Sequence, residues 1–266
     1  MSRIFDALRR SGGEPANRTS SRGVGEEVSW RGLMESLEAE TGKFEHGGRV
    51  QCRLEPESHI VAHHDEQHLG AQRFRLLSHR LQQLRQRRPL GRLLVTSAAR
   101  KDGKTVVAVN LAATLARTSG RVALIDGDMR QSGINRVLGL HLTVGLADYL
   151  EGRVELAAAF RIADPLGVYY LPSGLAPSNS VELLQSSRMD ELMMQVAAAF
   201  DWVVFDSPPL NPFAEAQHLA SVTDGVLLVV RSEATRKEAL KQSLTFVDAA
   251  RVVGVVLNAC RDNGHE

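Results

Sequence analysis

The stretch Ala98-Ala99-Arg100-Lys101-Asp102-Gly103-Lys104-Thr105 decides the reading of this chain. The apolar run Leu93-Leu94-Val95 precedes it, and a helical pattern over 104–118 follows. A strand, a tight loop ending Gly-Lys-Thr and a helix form a phosphate-binding device, here with Ala98 in place of the usual first glycine. The backbone N–H groups of such a loop point inward at phosphate oxygens, and Gly103 permits their close approach. The helix start adds the positive end of its dipole. In this arrangement Lys104 reaches the β- and γ-phosphates and the Thr105 hydroxyl ligates Mg²⁺. Residues Arg100, Lys101, Asp102, Gly103, Lys104, Thr105 and Val106 are therefore the candidate ATP contacts.

Two later acidic sites fit the same chemistry. Leu124-Ile125-Asp126-Gly127-Asp128-Met129-Arg130 places two acids at the end of an apolar strand. Val203-Val204-Phe205-Asp206-Ser207-Pro208-Pro209 places a third. In open α/β sheets, ligands sit beyond the carboxyl ends of the strands. Carboxylates there hold Mg²⁺ and its waters, and orient or deprotonate a nucleophile.

Around these motifs, short apolar runs alternate with helical patterns. Strands are predicted at 92–96, 121–125, 168–171, 202–205, 226–230 and 252–257. Helices are predicted at 104–118, 189–200, 214–221 and 235–250. Near-continuous apolar strands alternating with helices predict an α/β fold of three layers. It is a mostly parallel sheet with helices on both faces, the architecture of P-loop NTPases.

The rest of the chain sets bounds. Its 266 residues are 43% hydrophobic and 24% charged, an ordinary globular composition. Lys and Arg number 32 against 31 Asp and Glu, so the net charge of +1 makes no case for nucleic acid. No apolar run exceeds six residues, whereas a spanning helix needs about 20. With no secretory segment near Met1, a cytoplasmic location is expected. Cys52 and Cys260 lie too far apart in sequence to suggest a disulfide framework or a zinc site.

The chain divides at about residue 65. Met1, Ile4, Phe5 and Leu8 recur at helical spacing with Arg3, Arg9 and Arg10 opposite. Residues 11–29 read as a linker, 30–40 as a weak helix and 41–62 as aperiodic. We thus expect an amphipathic segment and largely disordered linker over 1–65, and the ATPase domain over 66–266. That domain opens on a basic helix with the stripe Leu69, Phe74, Leu77, Leu81 and Leu84.

The three motifs, in this order and spacing, resemble those of bacterial tyrosine kinases (BY-kinases). Asp126-Gly-Asp128-Met-Arg130 is similar to the family's second Walker-type motif, and Val203 to Pro209 to its Walker B motif. Ser178-Asn179-Ser180-Val181-Glu182-Leu183-Leu184 resembles its Asn-Pro-x-Glu-Leu-Leu stretch. Asp224 to Arg231 and Gly254 to Asn258 continue the likeness, which spans about 66–260. The resemblance implies phosphoryl transfer from Mg²⁺-ATP to tyrosine. Lys104, Asp126 and Asp128 would be catalytic, and Thr105, Asp126 and Asp206 would hold the metal. Asn258 would contact adenine.

The opening Met1 to Leu8 is similar to that of cytoplasmic members found in exopolysaccharide gene sets. This implies a Wzz-like membrane partner governing chain length, peripheral contact with the inner membrane, and a homo-oligomer. The family's C-terminal tyrosine cluster has no counterpart, since the only tyrosines are Tyr149, Tyr169 and Tyr170. Of its Glu-x-x-Arg-x-x-Arg subunit-contact helix, only Arg75 remains. Two other functions share this fold: a Min/Par-type partition ATPase, and a scaffold whose ATP state switches partner binding. The partition class carries a Lys after the first loop residue, where this chain has Ala99.

Overall fold

The computed structural model describes residues 44–62 and 67–260. The amphipathic stretch 1–10, the linker 11–29, the weak helix at 30–40 and the end of the tail, 261–266, lie outside the described residues.

Eight strands form one sheet: β1 (Arg49–Gln51), β2 (Arg92–Ser97), β3 (Val122–Asp126), β4 (Arg161–Asp164), β5 (Val168–Leu171), β6 (Trp202–Asp206), β7 (Gly225–Arg231) and β8 (Val252–Asn258). Their order is β1-β4-β5-β3-β6-β2-β7-β8. All neighbouring pairs are parallel except β4 and β5. The helices are α1 (Leu69–Arg85), α2 (Lys104–Ser119), α3 (Gly133–Val137), α4 (Leu146–Leu150), α5 (Leu156–Ala159), α6 (Ser180–Leu184), α7 (Ser187–Ala199), α8 (Ala214–Val222) and α9 (Lys237–Leu244).

The central strands are buried on both faces, and their residues alternate between two cores. Leu94, Ile125, Phe205 and Leu228 face one core, with Leu192 and Val196 of α7 and Leu219 of α8. Leu93, Val95, Leu124, Val204 and Val229 face the other, with Val107, Leu111 and Leu115 of α2 and Leu81 of α1. This double burial explains why these strands read as unbroken apolar runs.

All six predicted strands are present. Two more are not foreseen in the sequence. β1 and β4 are short and carry charged residues. They are joined to each other by three register pairs, reinforced by Arg49 reaching Asp164 at 3.0 Å. The fold therefore uses residues upstream of Glu66: Phe44, Cys52, Ile60 and Ala62 are all buried in the two cores. The helix predicted over 235–250 is shorter. It ends at Leu244, and Asp248 accepts from Ala250 N to cap a separate 3₁₀ turn at Ala249–Arg251. No helix among the described residues is long and apolar enough to cross a membrane.

The topology fixes the site. β3, β6 and β2 are adjacent at the sheet centre, and each ends in a motif. The β3–β6 register sets Asp126 directly beside Asp206.

Candidate active site

The phosphate loop turns between β2 and α2 through two left-handed residues, Lys101 (φ 67°) and Gly103 (φ 92°). Gly103 is required twice over. Beyond its positive φ, a Cβ there would lie 2.0 Å from Asn258 Nδ2. The first bond of α2 runs from Val107 N to Gly103 O at 3.0 Å. The N–H groups of Lys104, Thr105 and Val106 thus have no partner within the helix, and they open a ready anion site.

The acids converge on this loop. Thr105 Oγ1 donates to Asp206 Oδ2 at 2.7 Å. Lys104 Nζ lies 3.7 Å from Asp128 Oδ2. Asp126 Oδ2 accepts from Ser132 Oγ at 2.8 Å and from Ile134 N at 3.4 Å. Its Oδ1 accepts from Asp128 N at 3.2 Å. Asp126 and Asp206 are both wholly buried.

Two acids side by side in a dry pocket oppose ionisation. Burial, reinforced by the facing Asp206 carboxylate, pushes the Asp126 carboxyl well above the ordinary value. Burial likewise raises Asp206, to about 6, against the opposing pull of Lys104 and the Thr105 hydroxyl.

These residues fit a magnesium ion. Asp206 Oδ1 is buried with no hydrogen-bond partner. With Thr105 Oγ1 and Asp126 it offers hard oxygen donors, and a cation there relieves the charge conflict. Among the described residues no group of three or more His, Cys, Asp and Glu is arranged to hold a metal ion by itself. Mg²⁺ keeps several waters and takes oxygens from substrate phosphate, so the protein supplies only part of its ligands.

The structure gives four predicted residues contacts of another kind. Asp102 is buried, and its carboxylate accepts from Ala99 N at 2.9 Å and Thr235 Oγ1 at 2.7 Å. It braces the loop from behind. Asn258 Nδ2 donates to Asp102 O at 2.9 Å and so clasps the same loop to the end of β8. Arg100 is exposed, with its guanidinium 5.1 Å from the centroid of the Phe213 ring. Lys101 O accepts from Arg231 Nη1 at 3.2 Å. Ser132 and Thr235 were not singled out in the sequence, because a lone hydroxyl in a loop carries no local signal.

This geometry defines a P-loop ATPase. The AAA domain family profile matches residues 100–253, more than half of the chain. The tyrosine-protein kinase YwqD of Bacillus subtilis is 31% identical over 208 residues, covering 77% of this chain and 88% of that one. The tyrosine-protein kinase Wzc of Salmonella typhi is 33% identical over 169 residues, covering 63% of this chain but 24% of the relative. The kinase domain of the Escherichia coli tyrosine kinase ETK superposes with a TM-score of 0.74 at 24% identity, covering 82% of this chain and 85% of that one, a likeness of fold. The chain belongs to the bacterial tyrosine-protein kinases.

Proposed function

We propose that this chain binds Mg²⁺-ATP at Gly103, Lys104, Thr105 and Val106 and transfers its terminal phosphoryl group to a tyrosine. The observation that carries this is the unpartnered Asp206 Oδ1 beside Thr105 Oγ1 and Asp126, directly behind the Gly-Lys-Thr turn. Bound Mg²⁺ would supply charge neutralisation between phosphate oxygens, held by Thr105, Asp126 and Asp206.

The protein groups divide the remaining work. Lys104 and the first N–H groups of α2 hold the phosphates in line. The acceptor's phenolic oxygen bonds to the γ-phosphorus as the bond to the β–γ bridging oxygen breaks. Those electrons leave with ADP, and the phenolic proton passes to the Asp126 carboxylate. Ser132 Oγ and Ile134 N hold Asp126 in place for that role. Asp128 positions Lys104 through their ion pair.

The wider role we propose is control of exopolysaccharide chain length or export, beside a Wzz-like membrane partner. The protein would be cytoplasmic, with peripheral contact at the inner membrane and with its own copies. The opening segment within 1–65 would make the membrane-side contacts. The folded domain would extend upstream of 66, since β1 and Ile60 belong to its sheet and core.

Calorimetry with Mg²⁺-ADP tests the site. Lys104→Ala removes a charge-assisted phosphate contact and should weaken binding roughly 100-fold. Unchanged affinity would refute the assignment.

A further inference from the structure

Each of the three nucleotide motifs sends one further side chain to a common point. Arg100 leaves the phosphate loop, and Arg130 follows Asp128 by two residues. Phe213 stands at the start of α8, after the Asp206 motif. Arg100 Cζ lies 5.1 Å from the Phe213 ring centroid and Arg130 Cζ lies 5.7 Å from it. Both arginines are exposed, and Phe213 is half-buried.

The point is rigidly founded. Thr96 Oγ1 donates to Pro208 O at 2.9 Å, and Leu210 N donates to Ser97 O at 3.0 Å. These bonds tie the loop before Phe213 to the end of β2. Arg130 Nε donates to Glu215 Oε1 at 2.5 Å, and Ser180 Oγ donates to the same oxygen at 2.8 Å. Glu215 is buried, so the base of Arg130 is fixed from below.

The charges do not cancel. Glu215 neutralises Arg130, while Arg100 faces the ring and has no carboxylate partner among the described residues. Two guanidiniums drawn to one ring leave a surplus positive charge beside an aromatic surface. A ligand that joins an aromatic ring to negative charge satisfies both features. Neither is needed to hold phosphates, which the Gly-Lys-Thr turn already does.

We propose that Arg100, Phe213 and Arg130 form the acceptor platform, which seats a tyrosine flanked by acidic residues at the mouth of the phosphate site. This rests on the phosphoryl-transfer reading above. The platform assigns acceptor selection to three loops that each carry a nucleotide motif, so the site for tyrosine is assembled by the same elements that hold ATP.

The test uses the full chain saturated with Mg²⁺-ADP and two fluorescein-labelled copolymers, one of Glu and Tyr and one of Lys and Tyr. Fluorescence anisotropy should show saturable binding of the acidic copolymer and much weaker binding of the basic one. Phe213→Leu should weaken the acidic copolymer about tenfold. Arg100→Ser should weaken it about fivefold and flatten its salt dependence. Arg100 is exposed, so its variant gives the reading even if Phe213→Leu misfolds. The proposal is overturned by three outcomes: no saturable binding to the wild-type chain, equal binding of both copolymers, or unaltered affinity in folded variants. It is also overturned if Arg100→Ser weakens Mg²⁺-ADP alone, since Arg100 would then be a phosphate ligand. Calorimetry on the wild-type chain separates the two readings. Loss of nucleotide binding there strikes the kinase site itself, whereas intact nucleotide binding with no copolymer effect strikes only the platform.

Discussion

Replacing Asp206 by Asn should make the metal-free protein more stable and the nucleotide-loaded protein less so. The Asp206 carboxyl is wholly buried, and its pKa rises from 3.8 to about 6. At 1.36 kcal/mol per decade, the charged form costs the fold about 3 kcal/mol at neutral pH. That figure already contains the relief from Lys104 and from the Thr105 hydroxyl. The native state holds its proton more tightly than the unfolded chain. The penalty is therefore complete above pH 6, shrinks as pH falls through 6, and vanishes below the ordinary carboxylate range. An amide of the same shape escapes it and can still accept from Thr105.

Thermal unfolding with a chelator present measures this difference. At pH 8 the Asp206→Asn variant should melt above the wild type by roughly 6–12 °C, from about 2–4 °C per kcal/mol for a domain of this size. At pH 4 the two curves should converge. Saturating Mg²⁺-ADP should then raise the wild type by mass action, about 2.7 kcal/mol at a hundredfold excess over Kd, and leave the variant behind. A variant no more stable than wild type at pH 8, or one with the same advantage at pH 4, would show that the buried charge is not the strain we describe.

Asp126→Asn keeps the bonds from Ser132 and Ile134 but removes the proton acceptor, so turnover should fall by about 10²–10³ while Mg²⁺-ADP still binds; a wild-type rate would refute its role. Asp224 accepts from Gly91 N, Arg92 N and the Arg92 guanidinium. Burial opposes its charge, but these bonds hold its carboxyl below the ordinary value, so its contribution is present at neutral pH and lost in acid. Asp224→Asn should accordingly lower the urea midpoint at pH 7, and the gap should narrow towards pH 3. Purified protein given Mg²⁺-ATP should place no phosphate on Tyr149 or Tyr170, which are buried, with Tyr170 Oη donating to Asn135 Oδ1 at 3.1 Å; mass spectrometry finding stoichiometric phosphate on either would contradict the packing.

The sheet was legible where burial was two-sided. β2, β3, β6 and β7 carry apolar residues on both faces, so their sequence runs are unbroken and their limits come out within a residue or two. β1 and β4 were not, because what makes them strands is hydrogen bonding to distant partners, β1 to β4 and β4 to both β1 and β5, and Arg49-Val50-Gln51 has no pattern of its own. The overlong helix at 235–250 has a similar cause. Thr235 reads as a helical residue, yet its hydroxyl accepts from Arg231 N and donates to Asp102, which holds it in a turn ahead of α9.

The same distinction divides the site. Gly103, Lys104 and Thr105 are legible because the chemistry needs them at fixed local spacing, and Asp126 and Asp206 because strands end there. Asp102 lies within the loop motif and Asn258 at the end of β8, but their work is set by partners 133 and 156 residues away in the chain. No window of sequence carries that information. One consequence separates the two groups experimentally. Asp102→Ala leaves every proposed phosphate and metal ligand in place and removes only the brace. Its effect on Mg²⁺-ADP should therefore be modest, about tenfold, and should come with lost protection of the loop in hydrogen exchange. If Asp102 instead faced the nucleotide directly, removing its negative charge would strengthen phosphate binding, and the loop amides would stay protected. The direction of the affinity change alone decides between them.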